Sequence, residues 1–186
     1  MQCKSGKVLN FTGDNQEELF EYKGQVSIVS QDSHVFSSTL EFNISLSYNK
    51  DSQFEAFWED VKNEIPYVKS WGVEGESKIN PKELSLGQKQ LLSALRSCYL
   101  AKPIVLFDEI SSGLDSELEE ALRKLVLLIQ KQSLTFIVAH RIETILHADQ
   151  ILVMKKGRIV DRGKHKELLN NSAPYQEFIT QLMKVH

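Results

Sequence analysis

The stretch LSLGQKQLLSALRSCYLAKPIVLFDEISSGLD, residues 84–115, decides the fold of this chain. Its first residues have the pattern of a capping box, with Ser85 as the N-cap and Gln88 three positions later, which predicts the start of a helix. The apolar run Ile104–Phe107 predicts a buried strand, which ends in the carboxylates of Asp108 and Glu109. A helix followed by such a strand indicates an α/β domain.

Strands and helices alternate on both sides of this stretch. Apolar residues at helical spacing predict an amphipathic helix from Phe54 to Ile65, which Pro66 ends. A second capping box is predicted at Ser116 and Glu119. Short strands between helices predict a parallel sheet in one folding unit with an insertion. The remaining elements are strands at 6–11, 25–30 and 135–139, a hairpin at 151–160, and two helices with apolar faces, Leu118, Leu122, Leu125, Val126 and Ile129, and Tyr175, Phe178, Ile179, Leu182 and Met183.

Composition is that of an ordinary globular domain. Of the 186 residues, 41% are apolar and 25% are charged, which excludes a disordered or fibrous chain. The formal net charge of −3 gives no indication of a nucleic-acid partner. Cys3 and Cys98 have neither metal-ligand spacing nor partners for a disulfide framework, which favours a reducing compartment. No apolar run approaches the roughly 20 residues of a membrane helix, so membrane association is expected only through a partner.

Three of the predicted strands end in residues suited to phosphate chemistry, namely Gln31, the pair Asp108-Glu109, and His140. Ligands of open α/β sheets bind beyond the carboxyl ends of the strands, so these side chains are expected to converge on one crevice. They fit a Mg²⁺-dependent attack of water on a phosphoryl group, with Asp108 at the metal and Glu109 orienting the water. The alternative is a strand that ends in two solvated acids.

Three motifs, in this order and spacing, resemble those of the ATP-binding cassette (ABC) ATPases. Residues 84–88 resemble the signature motif, 104–109 the Walker B motif and 112–115 the D-loop. Residues 34–44 are similar to the segment after the Q-loop of ABC exporters, and the tail at 148–154 and 157–169 is similar to theirs. The resemblance therefore covers nearly the whole chain and indicates a nucleotide-binding domain of exporter type.

The resemblance implies an α/β fold. Its core would be a P-loop NTPase-like (RecA-like) parallel sheet, incomplete at the N-terminus, with a helical insertion subdomain. We expect the core at 1–39 and 98–163, the helical signature subdomain at 40–97 and a C-terminal helical tail at 164–186.

The resemblance also implies roles for particular residues. The signature surface would bind the γ-phosphate of an ATP held by the opposing subunit, with Gly87 allowing close approach of the phosphate. Leu86 stands where the family most often has Gly, and Ile110 where it usually has Pro. The implied cofactors are ATP and Mg²⁺. The implied residues are catalytic Glu109, His140 and Gln31, cofactor-binding Ser85, Leu86, Gly87, Gln88 and Asp115, and, for Mg²⁺, Asp108 and Gln31.

One motif of the family does not occur between Met1 and His186, the phosphate loop G-x-x-x-x-G-K-[ST]. The chain therefore looks like a nucleotide-binding domain truncated at its N-terminus, inactive by itself and poorly soluble. The parent is expected to power transport by ATP-driven dimerisation with a second nucleotide-binding domain, at the cytoplasmic face of the membrane beneath transmembrane partner domains. The alternatives are a non-catalytic module that completes an ATP site in trans with another P-loop chain, a decayed remnant, or, less favoured, a soluble ABC ATPase.

Overall fold

The computed structural model describes residues 24–30, 32–108, 114–139 and 142–185. The strand predicted at 6–11 lies outside the described residues. The chain divides into two compact units, Met1–Phe136 and Ile137–His186. The elements in chain order are β1 (Val26–Val29), α1 (Leu40–Ser45), α2 (Phe54–Glu64), α3 (Pro66–Ser70), α4 (Leu86–Leu100), β2 (Ile104–Asp108), α5 (Ser116–Gln130), β3 (Leu134–Val138), α6 (Ile142–Leu146), β4 (Ile151–Lys155), β5 (Arg158–Gly163), α7 (His165–Asn171) and α8 (Ala173–Val185).

The first sheet has the strand order β1-β2-β3. β1 and β2 are parallel, with Val26 beside Ile104 and Val29 beside Phe107. The backbone N–H of Leu134 donates to the carbonyl of Pro103 at 2.8 Å, at the start of β3. The strands predicted at 25–30, 104–107 and 135–139 are thus confirmed. The mixed α/β architecture around a parallel sheet is the predicted fold class.

Helices α4 and α5 pack together, and α4 lies against β1. Val29, Val105 and Phe107 are buried in the core of this unit. The contact of α4 with β1 is partly polar, because the Oγ atoms of Ser97 and Ser27 lie 2.6 Å apart. One turn earlier, Ser93 Oγ donates to the carbonyl of Ile28 at 3.4 Å. Two side chains of α4 therefore bond to successive residues of one strand.

The side chains that alternate with this buried set are exposed and apolar. Ile28 is 59% exposed in β1, and Leu134 and Phe136 of β3 are 48% and 40% exposed. Alternation along a strand sends successive side chains to opposite faces, so these residues belong to the second face of the sheet. An apolar face of this kind favours association or precipitation, and the expected poor solubility stays a prediction.

The helical insertion is built around α2. Its buried residues are Phe54, Trp58 and Val61, as the helical spacing predicts. Ile65 ends the helix, and Pro66 opens α3 at the first helical position, where its missing N–H costs nothing. The indole N–H of Trp58 donates to Glu74 Oε2 at 3.1 Å, which ties α2 to the loop before α4.

The second unit holds the predicted hairpin and the last helix. β4 and β5 pair antiparallel, and Lys156 and Gly157 between them both have positive φ, 52° and 75°. Tyr175 and Ile179 of α8 are buried in a small core, whereas Met183 is 69% exposed, so the predicted apolar face does not extend to that residue. None of the helices in the described part of the chain has both the length and the apolar character that crossing a bilayer requires.

Candidate functional site

The N-terminus of α4 has the predicted capping box. Ser85 is the N-cap, with the extended backbone angles φ −63° and ψ 162°. The backbone N–H of Gln88 donates to Ser85 Oγ at 3.1 Å, and the backbone N–H of Ser85 donates to Gln88 Oε1 at 3.0 Å. These reciprocal bonds satisfy two of the donors that a helix start leaves open, and they fix the position of the Ser85 hydroxyl.

Two further donors remain at this helix end. No hydrogen bond among the described residues involves the backbone N–H groups of Leu86 or Gly87. Ser85 is exposed, and Leu86 is 48% exposed. Open N–H groups at the positive end of a 15-residue helix attract an anion such as a phosphate oxygen. The helix start therefore fits an anion, and its predicted role in binding a nucleotide stays a prediction.

Gly87 is buried by packing within the chain. A Cβ atom there would lie 2.3 Å from Leu118 Cδ2 and 2.5 Å from Leu114 Cδ2. The hydrogen side of Gly87 thus faces α5 and the residue before it. Packing alone therefore explains why a glycine stands at position 87, because the absence of a side chain lets the starts of α4 and α5 approach closely. Its predicted role in admitting a phosphate stays a prediction.

Asp115 caps α5. Its backbone is extended, and its Oδ1 accepts from the backbone N–H of Leu118 at 2.9 Å. The capping box predicted at Ser116 and Glu119 is therefore wrong, because Ser116 already has a helical backbone and the cap lies one residue earlier. The Leu114 side chain lies next to Gly87, so the start of α4 and the residues that precede α5 meet within one chain.

The carboxyl ends of the strands are described only in part. Asp108 is the last residue of β2 and is exposed, which suits a hard cation that takes oxygen ligands. Gln31, Glu109 and His140 lie outside the described residues. Within the described ranges no three His, Cys, Asp or Glu side chains come close enough to hold a metal ion. The Mg²⁺ site thus stays a prediction, with Asp108 as the one described ligand.

Two polar residues, the buried Asn43 and the half-buried Arg96, were missed from the sequence. Asn43 is fully buried in α1, and Arg96 of α4 reaches the backbone around it. The available signal was a polar side chain inside an apolar helical pattern: Asn43 precedes Ile44, and Arg96 follows the buried Leu95. An arginine inside such a helix indicates a specific hydrogen-bonding partner, because charged side chains are seldom removed from water without one.

Comparison with known proteins gives the same result as the fold and the motifs. A family model described as "AAA domain, putative AbiEii toxin, Type IV TA system" matches residues 8–139. The "ATP-dependent lipid A-core flippase" of Francisella tularensis subsp. tularensis (strain FSC 198) is 34% identical over 175 residues, covering 91% of this chain and 29% of the flippase. The "Putative multidrug export ATP-binding/permease protein YgaD" of Bacillus subtilis (strain 168) is 34% identical over 181 residues, covering 95% and 31%.

The "ATP-dependent lipid A-core flippase" of Pectobacterium atrosepticum is 33% identical over 183 residues, covering 94% of this chain and 31% of that protein. The chain thus spans less than a third of the length of these relatives. The parallel sheet and the signature helix define an α/β domain of the P-loop NTPase class. The chain belongs to the AAA domain family, and its similarity to exporter ATP-binding/permease proteins over most of its length makes it an ABC nucleotide-binding domain.

Proposed function

We propose that the chain supplies the signature face of an ATP-driven exporter. The carrying observation is the exposed start of α4, where the Ser85 hydroxyl lies beside the unbonded N–H group of the half-exposed Leu86. These donors bind the γ-phosphate of an ATP held by a second nucleotide-binding domain. The resulting ATP-driven dimer powers transport through transmembrane partner domains, with the chain at the cytoplasmic face of the membrane. The names of the relatives, a flippase and an export ATP-binding/permease protein, and the fact that the chain spans less than a third of each, support this assignment.

The strand ends carry the proposed chemistry. Asp108 and Gln31 hold Mg²⁺, Glu109 orients and deprotonates the attacking water, and His140 contacts the γ-phosphate. Gln88 keeps Ser85 in position through the capping box, and Asp115 shapes the adjoining segment as the cap of α5. When bound, Mg²⁺ neutralises the charge that develops on the phosphate oxygens.

The chain by itself is expected to show no steady ATP turnover. The phosphate-loop motif is absent from residues 1–186, and that loop supplies the Lys and the backbone N–H groups that make most phosphate contacts. Phosphate release from purified chain with Mg-ATP should stay at the level of buffer, and Glu109→Gln should leave it there. Steady turnover that Glu109→Gln abolishes would contradict this.

A second candidate is a non-catalytic module that completes an ATP site in trans through the same exposed start of α4. Both candidates require Mg-ATP-dependent association with a nucleotide-binding domain that carries a phosphate loop. They differ in turnover by the mixed pair: replacing Glu109 by Gln lowers it if this chain is catalytic, and leaves it unchanged if the chain only contributes its signature face.

Replacing Ser85 by alanine should weaken that Mg-ATP-dependent association about tenfold, since one hydrogen bond to a charged phosphate oxygen is lost. Ser85→Thr is the matched control, because it keeps both the hydroxyl and the ability to cap α4. Analytical ultracentrifugation with and without Mg-ATP measures the association. Equal association of Ser85→Ala and the unchanged chain would argue against the proposed phosphate contact.

A further inference from the structure

Arg96 connects α4 to a distant part of the chain. Its Nε donates to the carbonyl of Asn43 at 2.8 Å, and its Nη2 donates to the carbonyl of His34 at 3.0 Å. The guanidinium carbon also lies 5.8 Å from the centre of the Phe36 ring. The contacts span 53 and 62 residues of sequence. One side chain of the signature helix therefore holds both ends of the segment His34–Asn43, which we name the clasped segment.

No carboxylate among the described residues pairs with the Arg96 guanidinium. None of the ion pairs among the described residues includes Arg96. Burial lowers the pKa of the Arg96 guanidinium, because desolvation disfavours its charged form. Among the described residues its partners are two carbonyl oxygens and a ring face, and partly desolvating a cation with such partners has a cost that is tolerated where the geometry of the contact matters.

Asn43 makes the clasped segment internally rigid. Its side-chain Oδ1 accepts from the backbone N–H of Phe36 at 2.8 Å. Its Nδ2 donates to the carbonyl of Phe36 at 3.0 Å and to the carbonyl of Thr39 at 3.0 Å. With Asn43 holding the middle and Arg96 holding both ends, the clasped segment has no free hinge between His34 and Asn43. A displacement of the segment must move Arg96 with it.

The other end of α4 is the signature surface. Arg96 lies eleven residues after Ser85, a distance of about 16 Å along a helix that rises 1.5 Å per residue. A continuous 15-residue helix carries a tilt at one end to the other without bending at a Pro or Gly, since its interior beyond Gly87 has neither. The helix therefore connects the clasped segment mechanically to Ser85 and Gln88.

We propose that Arg96 is a positioning residue that couples the clasped segment to the signature end of α4, so that nucleotide contact at Ser85 is sensed at residues 34–43. The inference rests on the proposed function for the nucleotide at that end. The planar guanidinium is required because two carbonyl groups are bonded by two different nitrogens, Nε and Nη2. A lysine ammonium on a flexible stem does not reproduce this fork.

The test is hydrogen–deuterium exchange of the full chain. The exchange rates of the backbone amides in the clasped segment are measured without additions and again with Mg-ATP and a nucleotide-binding domain that carries a phosphate loop. In the unchanged chain, the nucleotide and the partner should slow exchange at Phe36 and Asn43 about tenfold, as expected for an ordered segment. Arg96→Met and Arg96→Lys should both raise basal exchange there and remove the nucleotide-dependent slowing, while association with the partner persists. Arg123→Met is the control, because Arg123 pairs with Glu120 on the exposed surface of α5, away from the clasped segment.

The outcomes separate the claims. If exchange rises in Arg96→Met but the nucleotide-dependent slowing remains, Arg96 only stabilises the segment and the coupling is overturned. If basal exchange does not rise, the clasp itself is overturned. If the unchanged chain shows no nucleotide-dependent association, the proposed function fails and the coupling to nucleotide falls with it, whereas basal exchange in Arg96→Met still decides whether Arg96 fastens the segment.

Discussion

Replacing Gly87 by aspartate is expected to disrupt the packing of α4 against α5 and to prevent stable folding of the domain. The new Cβ would lie 2.3 Å from Leu118 Cδ2, and Leu118 is itself buried. Overpacking of this kind costs about 1–3 kcal/mol, and a carboxylate in the same apolar contact adds a desolvation cost of several kcal/mol. The sum is close to the roughly 5–15 kcal/mol that separates folded from unfolded domains. Thermal unfolding followed by circular dichroism should show no cooperative transition in Gly87→Asp.

Gly87→Ala isolates the steric part of this effect. It should lower the free energy of unfolding by about 1–3 kcal/mol. In a chain that already carries Leu118→Ala, the same substitution should cost less, because the contacting atoms of Leu118 are gone. A double-mutant cycle measures that coupling. Additive effects of the two substitutions would show that the helices do not meet at Gly87. This matters for function, because loss of ATP-dependent association in a Gly87 variant reports on packing as much as on phosphate contact, and Ser85→Ala is the cleaner probe.

Replacing Trp58 by alanine is expected to cost about 3–5 kcal/mol of stability, as for other large buried aromatics. Trp58 is completely covered and stacks on Phe54, with ring centres 6.2 Å apart. Its indole N–H also bonds Glu74, whose carboxylate accepts from Lys62 at 3.0 Å. The free energy of unfolding in urea measures the loss. A loss below about 1 kcal/mol, close to what a surface substitution causes, would contradict the burial of Trp58.

Trp58→Phe separates the two contributions of this side chain. It keeps an aromatic ring against Phe54 while removing the bond to Glu74 and a smaller part of the buried volume, so it should cost less than Trp58→Ala. Glu74→Gln keeps an acceptor for the indole but loses the charge that attracts Lys62. That pair is exposed on the glutamate side, and exposed ion pairs contribute little, so Glu74→Gln should be nearly neutral.

Local patterns were predicted well because their cause is local. The capping box at Ser85 needs only a residue three positions away, and the strand at 104–107 needs only its own apolar side chains. The error at Ser116 has the same origin. Asp115 and Ser116 can both cap a helix, and the sequence does not say which of two adjacent residues adopts the extended backbone.

What the sequence could not supply depends on contacts between distant residues. The packing of Gly87 on Leu118 and the bonds from Arg96 to His34 and Asn43 exist only once α4 has its place in the fold. A half-buried arginine bonded to backbone carbonyl groups follows no sequence spacing rule, unlike a metal site or a capping box. The roles of Gln31, Glu109 and His140 remain predictions, and Asp108 alone of that set is placed, at the end of β2.

The serine contacts between α4 and β1 have a consequence for how the signature helix can move. Hydrogen bonds are directional, and those of Ser97 and Ser93 reach two different residues of β1, Ser27 and Ile28. Axial slip of the helix by one residue, about 1.5 Å, would break both at once, while purely apolar packing would allow a gradual slide. The helix is thus restricted to pivoting about this pair of anchors. Because Arg96 lies between Ser93 and Ser97, a pivot that swings Ser85 turns the Arg96 side chain in place.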